Sequence, residues 1–129
     1  KAKHRQFFVK DATGPLGLQK TDFDWASFIL CLQNMQDAKS ALQQAGQHVK
    51  QNGLLLIVLN HPCFRIPRQS SWDIDEKAHL QYRRMNVYMS SLKIPIQTHP
   101  GRGEKSSTTY SFHYPISSYM QWIAEAGFS

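Results

Sequence analysis

The chain is short of the features that mark specialised protein classes. It has two cysteines in 129 residues, Cys31 and Cys63, each beside apolar neighbours. Neither sits in a Cys-x-x-Cys pair or a Cys/His spacing suited to zinc. The plain reading is two buried thiols in a reducing compartment, with the cytoplasm as the default location. No stretch approaches the ~18 consecutive apolar residues of a membrane helix. The longest apolar run, Leu54 to Leu59, suits a buried strand. No secretory signal opens the chain. Its start, Lys1-Ala2-Lys3-His4-Arg5, has no initiator Met and reads as the interior of a longer protein or a fragment boundary. His61, His79, His99 and His113 show no metal-ligand spacing, so no metal is expected. There is no internal repeat, no low-complexity tract and no run of five like charges.

What is present looks like one ordinary globular domain, 41% hydrophobic and 19% charged. The net charge is +6, with Lys and Arg scattered along the chain. A solvated basic face accounts for that, and attraction of an acidic partner such as RNA is the other reading.

Pattern reading gives an order of elements. Gln6 to Lys10 is a short apolar run that reads as a strand, broken by the turn chemistry of Asp11 to Pro15. Phe23 to Leu32 reads as a second strand, and Asn34 to Asp37 supplies helix-start residues. Ala38, Ala41, Leu42, Ala45 and Val49 then fall at i, i+3, i+4, i+7 and i+11, one face of an amphipathic helix. Gly46 would let that helix pack closely on a sheet, and Asn52-Gly53 would end it, with Gly53 left-handed. Leu54 to Asn60 has no alternation, which predicts a strand buried on both faces. Strand, helix and apolar strand in this order predict a βαβ unit and a parallel pair.

Beyond Asn60 the signals weaken. His61 to Arg68 holds two prolines and reads as a loop at the carboxyl end of a parallel strand, where α/β sheets bind ligands. Glu76 to Leu92 reads as a helix, and Ile94 to Lys105 as a proline- and glycine-rich excursion. Thr108 to His113 reads as a strand. A last helix starts at Pro115 and Ser117, with Gly127 as its C-terminal cap and Phe128 folding back.

In this order the pieces resemble class I S-adenosylmethionine-dependent methyltransferases. The resemblance rests on Phe7-Phe8-Val9-Lys10-Asp11-Ala12, Phe23-Asp24-Trp25-Ala26, Leu32-Gln33-Asn34-Met35, Asn52-Gly53 followed by Leu54 to Leu59, Phe112 to Ser117, and Glu125-Ala126-Gly127-Phe128. It implies an α/β fold, a partial Rossmann-like doubly wound sheet carrying the family's third, fourth and fifth strands. It also implies a single partial domain over residues 1–129, with 62–107 a substrate-side insertion. The implied activity is methyl transfer to an unknown acceptor, a small molecule in preference to RNA, in the intact protein. The implied cofactor is S-adenosylmethionine. The alternative function is a non-enzymatic basic α/β module that binds nucleic acid or a protein partner.

Residue roles follow from the same resemblance. Asp11 would accept from the adenine amino group and the Ala12 amide would reach a ring nitrogen, against the plain role of Asp11 as a turn cap. Leu32 and Gln33 would line the methyl-donor side, while Asn34 would cap the following helix. Asp24 would close a turn. His61 is the candidate catalytic residue, a proton acceptor or hydrogen-bond partner for substrate, against a loop histidine packed by Pro62. Arg65, Tyr82, Arg84 and His113 are the candidate substrate contacts. Tyr82, Arg83, Arg84 and Tyr88 would equally suit a lid helix with snorkelling arginines.

The family's glycine-rich turn after its first strand, and the acidic residue ending its second, have no counterpart here. Gly101-Arg102-Gly103 is the chain's G-x-G, and it lies inside the excursion. Without those strands the Phe7 segment would not touch the Phe28 strand, and one edge of the latter would stay open. An open apolar edge predicts self-association or rearranged pairing, and a chain that is inactive by itself.

Overall fold

The computed structural model describes residues 5–99, 101 and 107–129. Arg102, Gly103 and Lys105 of the expected excursion lie outside the described residues. The fold is α/β. It begins with a βαβ unit: β1 (Phe23–Ile29), α1 (Ala38–His48) and β2 (Val49–Val58). A one-turn 3-10 helix, Leu32–Asn34, bridges β1 and α1. A hairpin follows, β3 (Ser70–Asp75) with β4 (Leu80–Met85). Then come β5 (Leu92–Gln97), β6 (Thr108–His113) and α2 (Ile116–Glu125).

The expected parallel pair is present. β1 runs alongside β2, with Trp25 opposite Leu54, Phe28 opposite Ile57 and Ile29 opposite Val58. Among the described residues no strand takes the other edge of β1. Residues 5–10 are not a strand, contrary to the sequence reading. They have no partner to pair with, and Phe7 and Val9 lie in the open. β1 is also shorter than expected, because Leu30 turns left-handed at φ 50° and the 3-10 turn begins two residues later.

α1 ends at His48, not at Asn52-Gly53, and the chain passes straight into β2. Asn52 takes the left-handed conformation at φ 62°, where the register of β1 and β2 shifts. Gly53 is needed for a different reason. A Cβ there would lie 2.9 Å from the Lys50 carbonyl and 3.0 Å from that of Asp24. Asp37, not Asn34, caps α1. Its carboxylate accepts from the Ser40 backbone N–H at 2.9 Å and the Ser40 hydroxyl at 2.7 Å. The Asn34 amide instead donates to the Leu30 carbonyl at 3.3 Å.

Both helices cover one face of the β1–β2 sheet. Leu32, Ala38, Leu42 and Tyr119 form the buried core, with Phe28, Leu55, Ile57, Leu59, Trp122 and Ile123 packed around them. Gly46 faces the end of α2, where a Cβ would collide with the Ala126 carbonyl, so the close approach that it permits is to α2. α2 closes as read. Gly127 turns at φ 90°, its N–H reaching the Ala124 carbonyl at 3.0 Å and that of Phe128 the Ile123 carbonyl at 3.1 Å.

The other face of the sheet carries Trp25, Ile29, Leu54, Leu56 and Val58, each between 42% and 63% exposed. The strand at 54–60 is therefore covered on one face, not two. The helix read over Glu76 to Leu92 is also corrected. That stretch contains β4, and Asp75 caps its turn by accepting from the Lys77 and Ala78 N–H groups, both at 3.0 Å. His79 and Val87 are left-handed, at φ 52° and 49°, which no helix interior allows. β5 overlaps the start of the expected excursion and, among the described residues, pairs with β6 alone, an edge position where Pro95 is tolerated.

Candidate functional site

The carboxyl end of β2 runs into a loop with fixed anchor points. Pro62 is buried and Ile66 fully so. The His61 carbonyl accepts from Phe64 N–H at 2.9 Å and Arg65 N–H at 3.2 Å. The Ile66 carbonyl accepts from Gln69 N–H at 3.0 Å and the Ser70 hydroxyl at 3.1 Å. Buried side chains at both ends and local hydrogen bonds hold residues 61–66 in one conformation.

This loop walls a cavity of about 130 Å³. Gln33 and Asn34 border it from the 3-10 turn, Asn60, Pro62 and Arg65 from the loop. Ser111, Phe112 and His113 of β6 close another side, with Tyr119 of α2. Among the described residues no Asp, Glu or Lys lines it. Three of the residues singled out from sequence, Gln33, Arg65 and His113, thus meet at one cavity.

Their chemistry differs. The Gln33 amide donates from Nε2 to the Leu30 carbonyl at 3.0 Å, and its Oε1 is buried with no partner. A buried acceptor left unpaired costs about 1–3 kcal/mol, so this atom is suited to a donor that arrives with a ligand. His113 is 5% exposed and its Nε2 lies 2.8 Å from the Tyr88 carbonyl. A carbonyl only accepts, so Nε2 carries the proton. Tyr88 is held in turn: its hydroxyl accepts from Ile116 N–H at 3.0 Å. A hydrogen bond shared with Cys63 holds its phenol above the ordinary 10.0, with Ile116 pulling the other way. Burial, helped by Tyr114, pushes the Tyr119 phenol up to about 12, so it lines the cavity as a neutral group.

His61 is exposed at the loop's start, its ring 5.4 Å from that of Phe64. Its Nδ1 accepts from the Cys63 backbone N–H at 3.1 Å. Nδ1 is then unprotonated, and the neutral ring presents Nε2–H. In this arrangement His61 can donate a hydrogen bond to a substrate oxygen. Taking a proton from substrate would require the other tautomer and the loss of the Cys63 contact.

The remaining sequence-derived residues lie elsewhere. Tyr82 and Arg84 are on β4, outside the cavity, where Arg84 pairs with Asp73 at 3.5 Å. Leu32 is 1% exposed, its side chain committed to the core. Asp11 makes the turn-capping contacts of the plain reading. Its Oδ1 accepts from the Thr13 N–H at 2.9 Å and the Thr13 hydroxyl at 2.8 Å, which hold the carboxyl below its ordinary range. Ala12 lines a separate cavity of about 210 Å³ between the 12–18 segment, β1 and α1. The two cysteines are free and half-buried, not fully buried as expected. Among the described residues no cluster of His, Cys, Asp or Glu could hold a metal, and no helix is long and apolar enough to cross a membrane.

Tyr119, Asn60, Ser111 and Ile96 were missed at the sequence level. Tyr119 had a signal, a lone phenol on the apolar stripe of the last helix. Ile96 and Ser111 had none, because their place depends on β5 pairing with β6.

The residues fit an S-adenosylmethionine molecule in part. Asp11 offers an exposed carboxylate, and Gln33 an unsatisfied acceptor. Among the described residues there is no glycine-rich strand-to-helix turn for the amino-acid end.

No family model and no curated protein matches the chain. Among solved structures it is similar to the crystal structure of an S-adenosylmethionine dependent methyltransferase from Mesorhizobium loti. The TM-score is 0.70 at 19% identity, covering 93% of this chain and 51% of that one. The chain therefore spans about half the length of that structure, and what the two share is the fold.

Proposed function

We propose that this chain forms the acceptor side of an S-adenosylmethionine-dependent methyltransferase that acts on a small molecule. One observation carries the reading. The fold of such an enzyme is matched over 93% of the chain, and a cavity stands at the carboxyl end of the parallel pair. S-adenosylmethionine, when bound, supplies a methyl group already activated for transfer, so the protein's main task is positioning. His61, exposed beside the cavity but not among its lining residues, would present Nε2–H to an acceptor oxygen that reaches out of the cavity. Gln33 gives an unpaired acceptor at the cavity wall, and Arg65 and His113 line the same cavity. Asp11 and Ala12 serve the adenine end in this reading. Tyr82 and Arg84, on the hairpin, would reach substrate only from outside the cavity.

Amide chemical-shift mapping with the stable product S-adenosylhomocysteine tests this at millimolar concentration, since the chain alone is expected to bind weakly. Shifts at Ala12 and Gln33, with the β3–β4 hairpin unaffected, are the expected result. No shift at either amide under saturating ligand removes the cofactor assignment.

A further inference from the structure

We infer that the cavity takes an acceptor with a flat apolar body of about one ring and a single carboxylate directed at Arg65. The inference rests on the reading of this cavity as the acceptor site. Three observations carry it. The first is size: the cavity is about 130 Å³. An apolar cavity of about 150 Å³ holds benzene, so one ring is close to what fits. The second is the lining. Leu59, Pro62, Pro67, Ile96, Phe112 and Tyr119 make about half of the wall and suit an apolar body, while polar groups make the rest. The third is charge. Among the described residues Arg65 is the one side chain of fixed charge at the cavity, no carboxylate lines it, and none pairs with Arg65.

The backbone that carries Arg65 is also held in advance, while its side chain is exposed. Its backbone N–H is bonded to the His61 carbonyl, and the next residue, Ile66, is 0% exposed. Binding therefore orders a side chain but not a loop, which lowers its entropic cost. A guanidinium matches a carboxylate in two parallel hydrogen bonds. A lone guanidinium would leave a doubly charged phosphate half compensated, so the carboxylate is the better match. Asn60 on the loop and Asn34 on the 3-10 turn add neutral donors and acceptors to the lining.

The test uses benzoate as probe, its neutral isostere benzamide, and Arg65→Gln, with amide chemical shifts read across the chain. Benzoate is expected to shift Asn60, Arg65, Ser111 and His113 and to bind roughly tenfold tighter than benzamide, the worth of one charge-assisted contact. Arg65→Gln should remove that preference while benzamide binding holds. Equal binding of the two probes to the native chain overturns the inference. So does a preference that survives Arg65→Gln, or shifts confined to the β3–β4 hairpin. No methyl donor is present in these titrations. Benzoate bound as expected beside an inert S-adenosylhomocysteine would uphold the anion site and remove the methyltransferase reading, and the reverse pair would do the opposite.

Discussion

The two faces of the β1–β2 sheet are built from the same kind of residue and have opposite surroundings. On one face Phe28, Leu55 and Ile57 pack under α1 and α2. On the other, Trp25, Ile29, Leu54, Leu56 and Val58 stand half in solvent. The register puts Trp25 beside Leu54 and Ile29 beside Val58, so these side chains form one apolar patch, interrupted by Ser27. Parallel sheets are normally covered on both faces, and contiguous apolar patches mark places where something else packs. The comparison separates composition from environment: an apolar strand is suited to two covers, and the described residues provide one.

Substitutions can break that comparison. The largest effect is expected from Leu42→Ala, since Leu42 is 0% exposed at the centre of the covered side. A loss of about 3 kcal/mol follows from the removed methyl groups and the cavity left behind, readable as a lower urea midpoint. A loss below ~1 kcal/mol, the scale of a surface change, would show that the covered face is not the core. Gly46→Ala should come next. Alanine favours the helix by up to ~1 kcal/mol, but its methyl meets the Ala126 backbone, which cannot rotate away. A net loss of about 1–2 kcal/mol is expected from overpacking, and a gain in stability would show that α1 and α2 are farther apart.

Asp37→Ala should cost about 1 kcal/mol through the lost N-cap of α1. The Ser40 backbone N–H, and after it the Ser40 hydroxyl, hold the Asp37 carboxyl below its ordinary 3.8. A depressed folded value means that the contribution is fully present above the unfolded value and disappears as pH falls through the folded one. The native chain and Asp37→Ala should therefore differ in thermal midpoint near neutral pH and converge once the pH has fallen below the ordinary carboxylate range. A difference that persists at low pH would assign the effect to something other than the ionised cap.

The βαβ unit was legible because periodicity is a local signal. The i, i+3, i+4 ladder from Ala38 and the apolar run from Leu54 need no knowledge of the rest of the chain. Whether Leu54 and Leu56 are covered depends on what lies across from them, and no local pattern reports that. The hairpin was lost for a related reason. Leu80 and Val87 are seven apart and suit a helix, yet Trp72, Ile74, Leu80 and Tyr82 also alternate, and the turn capped by Asp75 decides between the two. At the cavity, Arg65 and His113 were found because they flank apolar segments whose ends were readable. Ile96 and Ser111 were not, because only the β5–β6 pairing brings them there. Gly53 was found for the wrong reason: its backbone is crowded by two carbonyls and is not left-handed.

The smallest effect on stability is expected at Leu56, and it is the most informative about the open face. Leu56 is 45% exposed at the middle of the patch. At a concentration where the chain is a monomer, Leu56→Lys should move stability by no more than ~0.5 kcal/mol, the range of surface substitutions. The long lysine stem can lie along the neighbouring apolar side chains with its ammonium in water. If the edge of β1 that no strand takes among the described residues, and the apolar face beside it, have a role in association between copies, it should grow as concentration rises. Sedimentation equilibrium should then show the native chain forming larger species where Leu56→Lys stays monomeric, because a charge buried between two such faces would lack a partner. A native chain that stays monomeric at high concentration would leave the patch solvated and remove association as its role. A loss in the dilute Leu56→Lys monomer as large as that of Leu42→Ala would mean that both faces are covered within one chain, and the contrast between them would be gone.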